Sequence, residues 1–374
     1  MTILGRLWQL GAWWQSRRTP ATTTDMSPAP LDNHDIGLEA LKGVFARMRI
    51  DDQWSIWGAR HFEWWLHEFA QRISVSKPIL SREVWVVRLM ASTTIATDVP
   101  CTEATYTRLG LLNAHAVTLS AFVLDTDGTL RLVTSAVVHA DTLWFALDLF
   151  ALVASMQAAD AQLKAAATPD MLSGGRCSPS THPTSGVRRE ADRLGAVLAE
   201  LAANQDVGAP STWAGDEMAG AHRTLSTTSV LAHGEATSVT AEFPYGAYTS
   251  LLTMKTDVRH PQVGAGLHVL LRLFNTPERE SAALSAVALN RLEAAAAELL
   301  DLQGSWCLAP NNAQEVVFTA FYPNVFCRKG MGALIAQQMS ARAHWVASLI
   351  DPRPLSERMA TAKPLAMRML DPIE

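Results

Sequence analysis

The chain has 374 residues, which at roughly 150 residues per domain corresponds to about 2.5 domains. Apolar residues make up 48% and charged residues 18%, enough hydrophobic material for one or two buried cores and too much for wholesale disorder. A formal charge of −5 supplies no excess of Lys and Arg for neutralising phosphates, so nucleic acid is not an expected partner.

At the start of the chain, Leu4, Leu7, Trp8 and Trp14 recur near helical spacing, with Arg6, Arg17 and Arg18 around them. A secretory signal would place its positive charge first, so a short amphipathic helix is expected, docked on the body of the protein, with a membrane-surface helix as the alternative. Residues 19–35 are rich in Thr, Pro and Asp, the composition of a linker, and 1–36 are therefore set apart from the folded part. From Gly37 onward, Leu38, Leu41, Val44, Phe45 and Met48 follow a helical period. So do Phe62, Trp65, Leu66, Phe69 and Ile73, and both segments are predicted as helices with one buried stripe.

A β-branched strand follows at 84–90, then a helix carrying Leu112-Asn113, then a hairpin with arms at 119–124 and 130–138. Its turn, Asp125-Thr-Asp-Gly128, is a strong hairpin signal between alternating apolar residues. A long helix closes the first half around 158–163. Residues 168–186, with Pro169, Gly174, Gly175, Pro179 and Pro183 among Ser and Thr, form the predicted boundary and flexible linker. A helix over 187–204 is expected to open the second half.

The same order then returns. The strand at 268–274 matches the one at 84–90, setting Arg272 against Arg88, and the helix after it carries Leu289-Asn290. A hairpin with arms at 305–308 and 316–321 turns around 310–312, and a closing helix includes 340–345. The predicted fold is thus α+β, with two tandem copies of an antiparallel sheet bearing helices on one face. The copies span 37–167 and 187–350, followed by a tail at 351–374.

This order resembles the compact unit of type III secretion chaperones and of the YbjN-like bacterial proteins. Leu112, Asn113, Asp127 and Gly128 carry the resemblance in the first copy, and Leu289 and Asn290 in the second. The run from Phe62 to Arg72 is also similar to a segment of an uncharacterised bacterial family with a doubled unit of this type. The resemblance implies binding: such units pair, and an extended segment of another protein lies across them. A single chain holding two copies could then form its own pseudo-dimer.

Catalytic constellations are not evident. His61-Phe-Glu63 with Pro100-Cys101 has half of a zinc-deaminase pattern, but Ala104 stands where the second thiolate belongs. Glu63 and His67 have i, i+4 spacing and are expected as a hydrogen-bonded helical pair. Asp125-Thr-Asp-Gly128 lacks the further oxygen ligands of a calcium loop. Cys101, Cys177, Cys307 and Cys327 form no C-x-x-C pair, and Gly264-Ala-Gly266 lacks the third glycine of a dinucleotide loop. No catalytic residue, metal site or cofactor is assigned.

Tryptophan is concentrated early: Trp8, Trp13, Trp14, Trp54, Trp57, Trp64, Trp65 and Trp85 precede position 86, out of twelve in the chain. On a helix Trp64 would point about 100° from Trp65 and reach the flank of the stripe. Phe62, Trp64, Trp65 and Phe69 are therefore the candidate partner-binding residues, against the alternative that the Trp64 and Trp65 rings cover the edge of the first sheet. The expected function is a cytoplasmic, non-enzymatic module that holds another polypeptide, adaptor- or chaperone-like, without an integral membrane segment. The alternatives are an enzyme with its site in the cleft between the repeats, or a structural subunit of a larger assembly.

Overall fold

The computed structural model describes residues 35–368 except 82–83, 117–118, 173, 191, 193–208, 261–262, 275–280 and 296–300. The expected amino-terminal helix and nearly all of the linker after it lie outside the described residues. In the first unit α1 (Gly37–Met48) precedes β1 (Ser55–Gly58), β2 (His61–Trp65), β3 (Ala70–Val75), β4 (Ile79–Ser81) and β5 (Val84–Thr97). Then come α2 (Glu103–Ala116), β6 (Ala121–Leu124), β7 (Leu130–His139) and α3 (Leu143–Lys164), followed by α4 (Thr168–Met171) and β8 (Arg176–Cys177). The second unit runs α5 (Asp216–Thr228), β9 (Leu231–Gly234), β10 (Ser238–Tyr245), β11 (Tyr248–Lys255), β12 (Arg259–His260) and β13 (Gly264–Leu273). It continues with α6 (Ala282–Ala295), β14 (Ser305–Ala309), β15 (Asn312–Pro323) and α7 (Met331–Ile350), and ends with α8 (Leu355–Thr361) and α9 (Leu365–Arg368).

The described residues form an α+β protein with two antiparallel sheets, of eight and seven strands. The strand orders coincide: β1-β2-β3-β5-β7-β6 in the first and β9-β10-β11-β13-β15-β14 in the second, each with helices packed on it.

The two Leu-Asn steps explain why the units close in the same way. Asn113 Nδ2 donates to the Phe122 carbonyl at 3.1 Å, and its Oδ1 accepts the Phe122 N–H at 2.8 Å. Asn290 does the same to Trp306, at 2.7 and 2.8 Å. Both asparagines are buried, so each satisfies its own amide while tying the middle helix to the strand behind it.

Fixing the two units on these anchors corrects one expected match. Phe122 pairs with Leu132 and Leu132 with Thr93, whereas Trp306 pairs with Phe318 and Phe318 with Leu271. Counting along the strands sets Gly266 opposite Arg88 and Thr94 opposite Arg272. The similar apolar runs are out of register, because strand pairing and not local composition sets the alignment.

The segment predicted as a helix over 62–73 is instead the β2–β3 hairpin. Phe62 and Trp64 alternate with His61 and Glu63, and this period of two, rich in aromatics, is a strand pattern. Glu63 accordingly pairs across the strands with Arg72 at 3.0 Å, not with His67 along a helix.

Residues 168–172 and 174–186 are part of the first unit. Thr168 and Pro169 are buried, β8 pairs with β5, and Ser180 N donates to the Glu68 carbonyl. The start of the helix predicted at 187–204 is irregular chain, while 193–208 lie outside the described residues. Among the described residues the second unit opens with α5. Residues 351–368 also lie on that unit: Lys363 N donates to the Ala247 carbonyl and Leu365 N to Glu242 Oε2.

At the first hairpin, Gly128 adopts φ +80°, the left-handed turn conformation that glycine takes without strain. Asp125 is engaged by Arg131 at 2.7 Å. Elsewhere α2 approaches β14 so closely that a Cβ on Gly110 would sit 2.8 Å from the Leu308 side chain.

One helix among the described residues, Ala140–Lys164, is long and apolar enough to cross a membrane by length and composition. It has no polar face because it is covered from two sides. Leu147, Phe150, Ala151, Ala154 and Ala158 enter the core of the first unit. Val153 belongs to the core of the second, with Phe145, Leu149, Leu152 and Met156 packed against it.

Candidate functional site

The site begins with a mismatch of strand lengths. β6 pairs only with residues 130–133 of β7, so the edge of β7 beyond that point must find other partners. Residues 301–303 of the second unit supply them. Ser135 N donates to the Leu302 carbonyl at 3.1 Å, Leu302 N donates to Ser135 Oγ at 3.0 Å, and Val137 N donates to Asp301 Oδ1. The Leu302 side chain joins Ala121, Val123, Val133 and Ala294 in a small apolar cluster. Leu119 of the first unit enters the core of the second.

A buried charged network lies behind this seam. Arg88 of β5 donates to Ser135 Oγ at 2.8 Å and to the Glu293 and Ala294 carbonyls at the end of α6, at 2.8 and 3.1 Å. Arg342 of α7 is fully buried, donates from Nε to Glu293 Oε1 at 2.7 Å, and stacks on the Phe318 ring at 3.9 Å. Glu293 Oε2 accepts the Trp306 indole N–H at 2.7 Å. Two arginines and two carboxylates, those of Glu293 and Asp301, therefore balance one another in the interior.

A cleft of about 240 Å³ opens in front of Asp301, between α3 and α7. Phe145, Ala146 and Leu149 form one wall, and Met331, Leu334, Ile335 and Met339 the other. Ala136, Val137, Asp301, Gln303 and Tyr322 line it from the strands, with His139, Thr142, Gln337 and Gln338 among the remaining polar groups. Among the described residues no Lys or Arg lines this cleft, and Asp301 is its one acidic residue. Burial pushes the Asp301 carboxyl up to about 6, against the Val137 N–H and the positive charges of Arg342 and Arg88, which favour ionisation, with Glu293 adding to the rise. Burial likewise raises the Tyr322 phenol, which stays protonated and donates to the Gln303 carbonyl at 3.5 Å. Gln338 Oε1 is buried and, among the described residues, without a hydrogen-bond partner. Trp144 is 73% exposed beside this wall, with its ring 5.1 Å from that of Phe145.

The residues singled out from sequence are elsewhere. Phe62, Trp64, Trp65 and Phe69 are all in the interior of the first unit, so they present no surface to a partner. Trp64 Nε1 donates to Gln71 Oε1 at 2.7 Å, and Trp65 Nε1 donates to Ser180 at 3.1 Å. Their helical placement put Trp64 on a flank, whereas strand geometry turns it inward. His61, Glu63 and Cys101 do not assemble a site, and among the described residues no three His, Cys, Asp or Glu side chains stand together to hold a metal ion.

Sequence reasoning passed over Asp301, Gln338, Tyr322, Arg342 and Trp144. The available signal was the helix from Leu143: twenty-two residues without a polar face imply cover on both sides, and hence a junction between units. No protein-family model matches the chain, and neither a curated protein nor a solved structure matches it.

Proposed function

We propose that the chain is a non-enzymatic binding module, adaptor- or chaperone-like, in which two units of a secretion-chaperone type are joined as an internal pseudo-dimer. It holds another polypeptide by an anchor side chain placed in the cleft between α3 and α7. The observation that carries this proposal is the cleft itself, which both units build, with apolar walls on each side and an exposed Trp144 at one wall. Exposed tryptophan beside an apolar recess is a typical binding anchor, because a large rigid ring buries much area at little entropy cost. Reciprocal insertion of Leu302 and Leu119 supports the pseudo-dimer.

A volume of about 240 Å³ suits one side chain or a small molecule better than a length of chain, so the rest of the partner would lie outside. The test is native mass spectrometry of the full chain purified from its source cells, beside the variant Ala146→Trp, which fills the cleft. A complex with one protein at fixed stoichiometry, absent from the variant while its fold is intact, is the expected result. A bare monomer at physiological salt, or a complex that the variant retains, would contradict it.

A further inference from the structure

We infer that the anchor received by the cleft is a lysine side chain, its methylene stem along the walls and its ammonium at Asp301. This deepens the proposal above and rests on it for the polypeptide that carries the lysine. Three observations select the chemistry. The acidic residue lining the cleft is Asp301, whose Oδ1 is held by the Val137 N–H, and among the described residues no Lys or Arg lines the cleft to receive an anion. Gln338 Oε1, also on the lining, is a buried acceptor without a donor, and such an atom is destabilising until a donor reaches it. Phe145, Leu149 and Leu334 offer apolar contact to a methylene stem.

An ammonium carries three donors and no acceptor, which matches a cleft with a carboxylate and an unpaired amide oxygen. Where Asp301 is ionised, a carboxylate or phosphate would meet like charge, and no Lys or Arg on the described lining offsets it. The arginines behind the site do not compensate. Arg342 is engaged by Glu293, and Arg88 is engaged by Ser135 and by the carbonyls of Glu293 and Ala294.

Binding is expected to follow the ionisation of Asp301. The groups facing it are the Val137 N–H on β7, Arg88 on β5, Glu293 on α6, Arg342 on α7 and Tyr322 on β15, with His139 at the end of β7 also on the lining. An alkylammonium stays charged across this range, so affinity rises as pH increases through about 6 and Asp301 loses its proton.

The experiment uses n-butylammonium as the probe and pentanoate as its anionic counterpart, with the full chain and saturation-transfer NMR between pH 5 and pH 8. The expected result is saturable n-butylammonium binding at pH 8, at least about tenfold weaker at pH 5 and in Asp301→Asn, with no pentanoate binding at pH 8. The Asp301→Asn substitution keeps an acceptor for the Val137 N–H, and Ala146→Phe serves as a second variant that blocks the cleft without changing charge. Absence of n-butylammonium binding, equal binding of pentanoate, or unchanged binding in both variants would overturn the inference. The probe needs no polypeptide, so failure of the partner complex and failure of the amine site are read separately.

Discussion

Asn290 holds the main chain of Trp306 at two points, through its carbonyl and through its N–H, both within 2.8 Å. Asn113 holds Phe122 in the same way, so the repeat is written in a hydrogen-bond pattern as well as in strand order. Replacing either asparagine with Ala leaves a buried N–H and a buried carbonyl unpaired, for a loss of about 2 to 4 kcal/mol. Asp at the same position restores the acceptor but sets an oxygen against the carbonyl, and is expected to recover little. Denaturant unfolding of the four variants checks this, and Asn→Asp variants as stable as wild type would refute the two-point hold.

Arg342 and Glu293 join α7 to α6 inside the second unit, and both are fully buried. Glu293→Gln leaves the two arginines opposed by Asp301 alone, and breaking a buried pair in this way costs about 3 to 5 kcal/mol. The double variant Glu293→Gln/Arg342→Met returns the network to balance, with Arg88 and Asp301 remaining. It should therefore be more stable than Glu293→Gln alone, and a thermodynamic cycle on the two sites measures the coupling.

The Asp301 carboxyl is raised from its ordinary 3.8 to about 6, mainly by burial. The folded chain thus binds this proton more tightly than the unfolded chain does. The stabilisation is complete below about pH 4 and disappears as pH rises through about 6. Asp301→Asn removes that dependence, so the stability of the variant relative to wild type should improve between pH 4.5 and pH 7.5. Thermal unfolding at the two pH values reads the change, and a difference that moves the other way would show that the ionised form is favoured in the fold.

His344 has the opposite sign. Burial lowers it from its ordinary 6.5 and the Arg358 charge lowers it further, against the bond to the Thr228 carbonyl, which raises it. Its contribution is present above about pH 6.5 and is lost as pH falls through its lowered folded value. Gln at 344 supplies an amide donor for that carbonyl without titrating. His344→Gln should therefore lose less stability than wild type on going from pH 7.5 to pH 5, as measured by denaturant unfolding at each pH.

Much of the architecture is legible in the sequence. The Leu-Asn pairs, the Asp-Gly turn and the repeated strand, helix, hairpin and helix order report local events, and these lie where their patterns place them. The stretch at 62–73 misleads because aromatic residues satisfy a helical period and a strand period at once, and only pairing with β5 decides between them. Arg88 and Arg272 fall out of register for a related reason, since two apolar strands look alike whichever way they slide. The cleft is not legible locally. Asp301 and Ala146 are far apart in sequence, and each acquires its meaning from the way one unit's chain lies along the other's open strand edge.

Photo-crosslinking in the source cells tests the central claim most directly, with a photoreactive phenylalanine introduced at position 144 in one chain and at position 163 in another. Both positions are exposed on α3, at 73% and 79%, but only Trp144 adjoins the cleft wall. Site 144 is predicted to yield one discrete protein adduct that disappears with Ala146→Trp, while site 163 yields none. Equal adducts at both sites, or none at 144, would contradict a partner held at the cleft.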